Sequence, residues 1–189
     1  VPDANQPVTV TATASDPDGI ASATVFYSAN QGAWQTASMT IATDGRLSGT
    51  IPGFGSSTVV QFYVQASDPT GATSMFPSQG RQSRALYKVQ DGQAQNGIRH
   101  DLRIIQTTAD VNFQLVNINR MSNDRLGGTV IFNESEIYYD VGLRLSGAFS
   151  TRPSPDYGYD IRFQTAKLFL GQHQAIKIDR KGPTEMLIK

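Results

Sequence analysis

The residues best suited to chemistry lie in one stretch, positions 142–150, which read GLRLSGAFS. The β-prone run EIYYD precedes it, so the sequence predicts a strand that ends in a turn. Small residues in such a turn leave room for a phosphate group, to which Arg144 would supply charge and Ser150 a hydroxyl group. The alternative is that the glycines only shape the end of the strand. Because the chain has neither a GxxxxGKS/T nor a GxGxxG motif, the residues alone favour that alternative.

Three aspartates offer a second kind of site. Asp16, Asp18 and Asp68 lie in predicted turns and are expected to meet at one end of the first domain, where their oxygens suit Ca²⁺. Asx turns account for the same residues without a metal. His100 and His173 have no partners at metal-ligand spacing, and no Ser/His/acid set can be assembled. The sequence therefore predicts no catalytic residue in this chain.

The overall composition excludes several classes of function. The 16 basic and 16 acidic residues cancel, so no nucleic-acid or anionic-membrane surface is expected. No apolar run approaches the roughly 20 residues of a membrane span. Cysteine is absent, which removes disulfides, thiolate metal sites and a cysteine nucleophile but does not fix the compartment. The oligomeric state cannot be predicted.

Charge density divides the chain into two parts. Residues 1–86 contain three basic and five acidic residues, whereas the remainder contains thirteen and eleven. The polar segment QDGQAQNG at 90–97 lies near this change and is typical of a linker. We therefore predict a domain at 1–86, a linker at 87–98 and a second domain at 99–189.

The first domain alternates between apolar and polar residues with a period of two, which predicts strands. In the segment 60–66, Val60, Val64 and their alternate neighbours are expected to face the core, whereas Gln61 and Tyr63 face outward. Turn sequences such as DPDG and DG separate the strands, so the pattern predicts an antiparallel β-sandwich. The predicted strands are 8–14, 21–27, 34–41, 46–51 and 60–66.

The second domain has a mixed pattern. Val111, Leu115 and Ile118 have helical spacing and follow a possible N-cap at Thr107 or Thr108, so a helix is predicted over 109–120. Strands are predicted at 102–106, 129–132, 136–145, 159–163 and 175–178. A further helix could begin at 183 and continue past the end of the chain. The fold class is thus mainly β, an Ig-like sandwich followed by a truncated α+β unit.

Two short patterns in residues 1–86 resemble fibronectin-III/immunoglobulin-like bacterial modules. One is the FxVxAxD pattern that begins at Phe62 and is followed by Gly71; the other is the SDPDG turn at 15–19. The family often has Tyr where Phe62 stands, so a tyrosine corner is not available there. Tyr63 is expected to point to the other face and not to replace it.

Six short motifs in residues 99–189 resemble, in order, the N-terminal part of the CotH family of secreted or spore-coat atypical protein kinases. The motifs are MSNDRL at 121–126, GLRLSGAFSTRP at 142–153, Phe163 in a strand, LFxG at 168–171, IDR at 178–180 and ExLIK at 185–189. This resemblance identifies the second domain as the opening of an atypical kinase domain.

The CotH resemblance implies a parent protein that binds ATP and Mg²⁺ and phosphorylates Ser or Thr of a surface or coat protein. The nucleotide-side residues would be Arg144, Ser150, Arg152 and Arg162. The family commonly has Lys where Arg162 stands, which puts a phosphate-pairing role of Arg162 in doubt. The catalytic and metal-binding acids of the family would follow residue 189, so this chain by itself is expected to be inactive. The resemblance also implies export to the cell surface or beyond.

Other hypotheses remain open. Ala175-Ile176-Lys177 resembles the VAIK lysine of protein kinases, and Glu185 could be its partner, but no glycine-rich loop precedes them. Trp34 and Tyr27 could form a sugar platform, although core aromatics explain them as well. The main rival hypothesis is a non-enzymatic extracellular adhesion or spacer protein with a degenerate second domain.

Overall fold

A computed structural model describes residues 1–93, 100–148, 152 and 157–179. These residues form thirteen β-strands, one α-helix and one 3-10 turn, which confirms the predicted mainly-β class. The chain divides into two compact units, which are described separately below. The first unit comprises Val1–Asp101 with Asn133–Ser135, and the second is the rest of the chain.

The first unit contains two antiparallel sheets. One has the strand order β1-β5-β4 and the other β3-β2-β6-β7, with β8 pairing with β6 beside β7. The strands are β1 Val8–Thr13, β2 Ser22–Ala29, β3 Gln35–Ser38, β4 Thr40–Ile41, β5 Arg46–Ile51, β6 Val59–Ser67, β7 Thr73–Phe76 and β8 Leu86–Lys88.

The alternation of the sequence places one hydrophobic core between these two sheets. Val10 and Leu47 project from the β1-β5-β4 sheet, and Val25, Val60 and Val64 project from the other sheet into the same buried cluster. The intervening polar residues of β1 and β5 are mostly exposed, as period-two patterning requires.

The single strand predicted over 34–41 is divided between the two sheets. β3 pairs with β2, whereas β4 pairs with β5. Met39 lies at the crossing point; its backbone N–H donates to the Ala23 carbonyl at 2.9 Å and its side chain is buried over Gly49. A single strand was predicted because the residue pattern alone does not distinguish one long strand from two short strands in different sheets.

The predicted orientation of Gln61 and Tyr63 toward solvent is wrong, because both faces of β6 are covered. Tyr63 is 4% exposed and stacks on Phe26 at 4.7 Å, with Trp34 against its edge at 5.4 Å. The Gln61 amide donates to the Ser83 and Arg81 carbonyls at 2.6 and 3.0 Å. Tyr63 does point to the face opposite the core, as predicted.

The second unit is built on one five-stranded antiparallel sheet with the order β13-β12-β11-β10-β9. Its strands are β9 Leu102–Ile105, β10 Leu126–Phe132, β11 Glu136–Ser146, β12 Gly158–Arg162 and β13 Ala175–Ile178. One face of this sheet carries the hydrophobic core, which consists of Val130, Phe132, Tyr138, Val141, Leu143, Ile161, Phe163, Phe169 and Ile176.

The hairpin between β10 and β11 forms where it was predicted. Asn133 and Glu134 at its tip have φ values of 50° and 54°, a backbone conformation that Asn adopts more readily than most residues. Beyond the tip the register shifts between Gly128 and Val130, and Asp140 on β11 has a φ of 52°. This bulge leaves Val130 and Val141 both in the core.

The helix is shorter than predicted: α1 spans Thr108–Leu115 and not 109–120. Its start agrees with the prediction, because the Thr107 hydroxyl oxygen accepts from the Asp110 N–H at 3.1 Å. It ends before Val116 because the following residues are β-branched or Asn, which are poor helix formers. The Asn119 amide and the Arg120 guanidinium then donate to the freed carbonyls of α1.

The remaining structural predictions for the second unit have different outcomes. The strands predicted at 102–106, 159–163 and 175–178 correspond to β9, β12 and β13. The helix predicted from 183 onward lies outside the described residues. Within the described part of the chain, no helix combines the length and apolarity needed to cross a bilayer.

Candidate functional site

The charged centre of the second unit is Asp160 on β12, which binds two arginines. Its Oδ1 accepts from Arg125 Nη2 at 2.7 Å, and its Oδ2 accepts from Arg144 Nη2 at 2.7 Å and Nε at 3.2 Å. Arg125 Nη1 also donates to the Asp160 carbonyl at 2.9 Å. The three side chains are only 22–29% exposed, so solvent weakens these ion pairs less than at an open surface.

Asn123 connects this ion-pair cluster to Arg152. Its Oδ1 accepts from Arg144 Nη1 at 2.8 Å and from Arg152 Nη2 at 3.2 Å. The buried guanidinium of Arg152 also donates to the backbone carbonyls of Gly147, Arg120 and Ser122. Five side chains thus form one connected group, which we call the arginine cluster: Asn123, Arg125, Arg144, Arg152 and Asp160.

The arginine cluster keeps Asp160 ionised. Burial alone would raise the pKa of Asp160, but hydrogen bonds from Arg144 and Arg125 and the charges of both guanidinium groups lower it below its usual value. At neutral pH the cluster therefore carries three positive charges and one negative charge. Such an excess can attract an anion.

Strand register places further cations on the face of the sheet that carries Arg144. Arg144 pairs directly with Asp160, and Asp160 pairs with Lys177 on β13, so these three side chains share one face. Arg162 pairs with Gly142 and lies on the same face two residues from Asp160. The opposite face is the apolar one that carries Leu143 and Ile161.

Gly142 has a packing role on this basic face. A Cβ atom there would approach Arg125 Cδ to 2.9 Å. The absence of a side chain at Gly142 therefore allows the stem of Arg125 to lie flat over β11, with Arg125 Nη1 3.3 Å from the Gly142 carbonyl. Gly142 thus has a structural role, which agrees with the alternative that the glycines shape the strand. The side chain that it accommodates, Arg125, is nevertheless part of the cationic cluster.

The structure brings together some of the four residues predicted on the nucleotide side. Arg144 and Arg152 share Asn123 as a hydrogen-bond acceptor, and Arg162 is exposed on the same face of the sheet as Arg144. Ser150 lies outside the described residues. Two of the six sequence motifs, at 121–126 and 142–153, therefore meet through Asn123, Arg144 and Arg152.

Sequence reasoning did not identify Asp160, Asn123 or Arg125 as members of this site. A charged residue in the middle of the strand predicted at 159–163 was a signal, because a carboxylate in a central strand needs a cationic partner. The partners could not be named, however, because both are distant from Asp160 in sequence. The register of β11 and β12 brings Arg144 to Asp160, and Arg125 reaches it across Gly142.

The three aspartates of the first unit do meet, as predicted. Oxygen atoms of Asp16, Asp18 and Asp68 lie within 4.8 Å of one another. Asp16 Oδ1 accepts from the Asp18 N–H at 2.9 Å, and Asp68 accepts from Thr70 Oγ1 and the Ala72 N–H, so Asx turns account for their positions. Calcium binding stays a prediction.

The electrostatics of Asp68 follow from its turn. Partial desolvation would raise the pKa of Asp68, but hydrogen bonds from the Thr70 hydroxyl and from the backbone N–H groups of Ala72, Gly71 and Thr70 lower it. The carboxylate is therefore charged at neutral pH and contributes to an acidic end of the first unit.

Trp34 and Tyr27 do not form a platform together. The indole of Trp34 packs against Tyr63 and lies under the Arg81 guanidinium, 5.6 Å from the ring centre. Tyr27 is buried, and its hydroxyl group donates to Gln35 Oε1 at 3.0 Å. Both rings are thus used within the first unit, in agreement with the core explanation of these residues.

No known family model matches this chain, and no curated protein matches it. Solved structures with some similarity include an uncharacterized protein of Listeria monocytogenes in complex with α- and β-glucose, magnesium and calcium (TM-score 0.34). They also include the cycloalternan-forming enzyme of Listeria monocytogenes in complex with a pentasaccharide substrate (TM-score 0.33). Each is 9% identical to this chain; the match covers 98% of this chain and 17% of the other. These similarities are too weak to assign a fold or an activity.

Proposed function

We propose that this chain is part of an exported bacterial protein in which an Ig-like module precedes the opening part of a CotH-like kinase domain. In this proposal the parent transfers phosphate from ATP to Ser or Thr of a surface or coat protein. The chain itself contributes the phosphate-facing strands and is inactive alone, because the acids that hold Mg²⁺ would lie in the sequence that follows.

The main support is the basic face of the second unit. Arg144, Arg162 and Lys177 lie on that face together with the carboxylate of Asp160. Arg152 is linked to Arg144 through Asn123. Transfer of a phosphoryl group depends largely on positioning and on positive charge around the phosphates. A strand face with fixed guanidinium groups and one compensating acid has the charge required of a polyphosphate site.

Within this face, Arg162 is the residue best placed to contact a phosphate directly. Its side chain is exposed and has no ion-pair partner among the described residues, whereas Arg144 and Arg152 already donate to protein acceptors. We therefore assign to Arg162 direct contact with a phosphate. Arg144 contributes a positive charge that its hydrogen bonds hold in place on the same face of the sheet. Arg162 opposes Gly142, and the stem of Arg125 occupies the space that a side chain at Gly142 would fill.

Arg162→Ala is expected to weaken ATP binding of the parent protein about tenfold or more, because hydrogen bonds to a charged group contribute roughly 1.5–3 kcal/mol. Isothermal titration calorimetry with ATP and Mg²⁺ measures the change. Arg162→Lys is expected to recover only part of the affinity, since Lys cannot form a bidentate contact.

Arg46→Ala in the first unit is the matched control, because Arg46 is an exposed arginine paired with Asp44 and is expected to leave ATP affinity unchanged. Equal ATP affinity of the Arg162→Ala variant and the wild type would remove Arg162 from the site. If the parent neither binds ATP with Mg²⁺ nor phosphorylates itself or a Ser-rich protein, the kinase proposal fails as a whole.

A second candidate function is a non-enzymatic adhesion or spacer protein, and one observation favours it. The guanidinium donors of Arg144 and Arg152 are largely used by Asp160, Asn123 and backbone carbonyls, as in a purely structural network. This candidate predicts that acidic clusters suited to Mg²⁺ are absent from the sequence following residue 189 in the parent. The sequence of the parent gene therefore separates the two functions.

Both candidate functions place the parent protein at the cell surface or beyond it. Export of the parent is expected to require a signal peptide at its N-terminus. Protease treatment of intact cells, followed by detection of the parent with an antibody, tests this: the protein is degraded if it is exposed at the surface and survives if it is internal.

A further inference from the structure

An open cleft lies in the first unit between the edges of its two sheets. Its volume is 330 Å³, and it is lined on one side by the end of β1 and on the other by β7 and the turn before it. Ile20, Leu47 and Val64, which belong to the hydrophobic core or pack against it, also line the cleft. The cleft therefore opens onto the core between two strands that are both at the edge of a sheet.

The edge of β1 offers unpaired backbone groups. β1 is the terminal strand of the order β1-β5-β4. The Ala14 N–H donates to the Gly45 carbonyl at 3.0 Å, so Ala14 and its alternate neighbours direct their backbone groups toward β5. Hydrogen-bond direction alternates along an antiparallel pair. The backbone groups of Thr9, Thr11 and Thr13 therefore point away from β5, where no described strand pairs with them.

The opposite wall of the cleft is also incomplete. β7 is the terminal strand of its sheet, and all four of its residues are exposed. Phe76 is 72% exposed and Met75 39%, although both line the cleft. Large apolar residues on an uncovered edge strand mark a place where another strand can add.

The charged residues that line the cleft are all acidic. Asp16 and Asp68 line its end, beside the last residues of β1, and none of the lining residues is a lysine or arginine. A segment that enters the cleft therefore meets two carboxylates at one end and both apolar and hydroxyl side chains along its length. This pattern favours a cation at the end of the segment that lies beside Asp16 and Asp68.

We propose that this cleft binds an extended segment of a partner protein, which adds to the edge of β1 as an antiparallel strand. β1 runs toward the acidic end, so an antiparallel segment begins there. The segment should therefore carry Lys or Arg at its start, followed by apolar residues at alternate positions that enter the cleft. Backbone hydrogen bonds to Thr9, Thr11 and Thr13 supply affinity, and the cleft and the aspartates supply selectivity.

The test uses ¹⁵N NMR titration of this chain with an acetylated and amidated peptide, Lys-Val-Thr-Val-Thr-Val. Shift changes are expected at the Thr11 and Thr13 amides and around β7, with slower hydrogen exchange at Thr11 and Thr13. The reversed peptide, with Lys last, is expected to bind about two- to fivefold more weakly, as is usual for loss of an exposed ion pair.

Thr11→Pro is the decisive variant. Proline removes an N–H group that β5 does not use, so the fold should be retained, but its ring blocks the incoming strand. The expected loss of peptide affinity is about tenfold or more. Phe76→Ser, which leaves the backbone of β1 intact, is expected to weaken binding as well. Unchanged circular dichroism and melting temperature establish that both variants are folded.

Charge variants separate the acidic end from the rest of the cleft. Asp16→Asn is expected to remove the preference for the Lys-first peptide over the reversed one, whereas Asp44→Asn, an exposed acid paired with Arg46, should leave it unchanged. Shift changes away from β1 and β7, or equal binding by wild type and Thr11→Pro, would refute the proposal. A concentration-dependent dimer that Thr11→Pro abolishes would instead assign the cleft to a second copy of this chain and overturn the partner segment.

Discussion

Asp160→Ala is expected to lower the free energy of unfolding of the second unit by about 2 kcal/mol. The substitution removes the carboxylate that accepts from both Arg125 and Arg144, and it leaves two guanidinium groups side by side without a counter-charge. Hydrogen bonds to charged groups contribute roughly 1.5–3 kcal/mol. We expect the lower part of the range because the Asp160 side chain retains 22% of its exposure. Urea unfolding followed by NMR signals of β11 and β12 measures the change.

The matched control is Asp44→Ala, which removes a carboxylate from an exposed ion pair with Arg46. The two side chains are 52% and 75% exposed, so a loss below about 0.5 kcal/mol is expected. An equally small loss for Asp160→Ala would mean that the arginine cluster is not held by Asp160, and the fixed positive face that supports the proposed function would lose its basis.

The pH dependence of the ion pairs that Asp160 forms with Arg125 and Arg144 follows from the direction in which the pKa of Asp160 is shifted. Folding lowers the pKa of Asp160, so its stabilising contribution is fully present above the unfolded-state pKa of about 4 and is lost as pH falls through the lower folded-state pKa. The stability difference between wild type and Asp160→Asn should therefore be constant from pH 7 to pH 5 and shrink below pH 4. A difference that stayed constant down to pH 2 would contradict this assignment.

Strands β1, β2, β5 and β6 of the first unit were predictable because its core lies on one face of each sheet, whereas β7 and β8 were not predicted. In β1 and β5, apolar residues alternate with exposed Thr, Ser and Arg, which is the pattern that a half-buried sheet requires. β6 departs from this rule. Trp34, Phe26 and the 80–84 segment cover its second face, and these are contacts between residues far apart in sequence that no local pattern contains.

In the second unit, local sequence patterns predicted where helices and strands lie but not which residues pack against them. Thr107 and Asp110 predicted where α1 begins, because capping involves residues three positions apart. The end of α1 was misplaced because Val111, Leu115 and Ile118 have the spacing of a buried helical face, yet Ile118 is 85% exposed. The prediction relied on helical spacing and gave too little weight to residue type. The asparagines and β-branched residues after Leu115 favour termination of the helix.

The candidate site shows the same limit more strongly. Arg144 was identified from the 142–150 stretch and Arg152 through a resemblance. What they contact depends on Asp160 and Asn123, which the register of β11 with β12 and the path of the 121–126 segment bring to them. A charged residue in a strand predicts that a counter-ion exists. Only the three-dimensional arrangement identifies that counter-ion and shows how many donors remain for a ligand.

Phe169→Ala is expected to have the largest effect on the second unit, a loss of roughly 3–5 kcal/mol in the free energy of unfolding. Phe169 is fully buried, and its ring lies 5.1, 5.2 and 5.4 Å from those of Phe163, Phe132 and Tyr138. Truncation would leave a cavity at the centre of this aromatic group and remove its edge and stacking contacts. Urea unfolding monitored by near-ultraviolet circular dichroism and by NMR signals of β11 and β13 measures the loss.

Phe113→Ala is the matched control, because Phe113 on α1 is 58% exposed and its loss should change stability by less than about 0.5 kcal/mol. The comparison also tests the meaning of the LFxG motif. Phe169 anchors the core while Leu170 and Gly171 turn the chain with φ values of 50° and 71°, so the motif is explained by folding alone. If Phe169→Ala cost less than about 1 kcal/mol, the aromatic group would not be the centre of this core, and the motif would need a functional explanation instead.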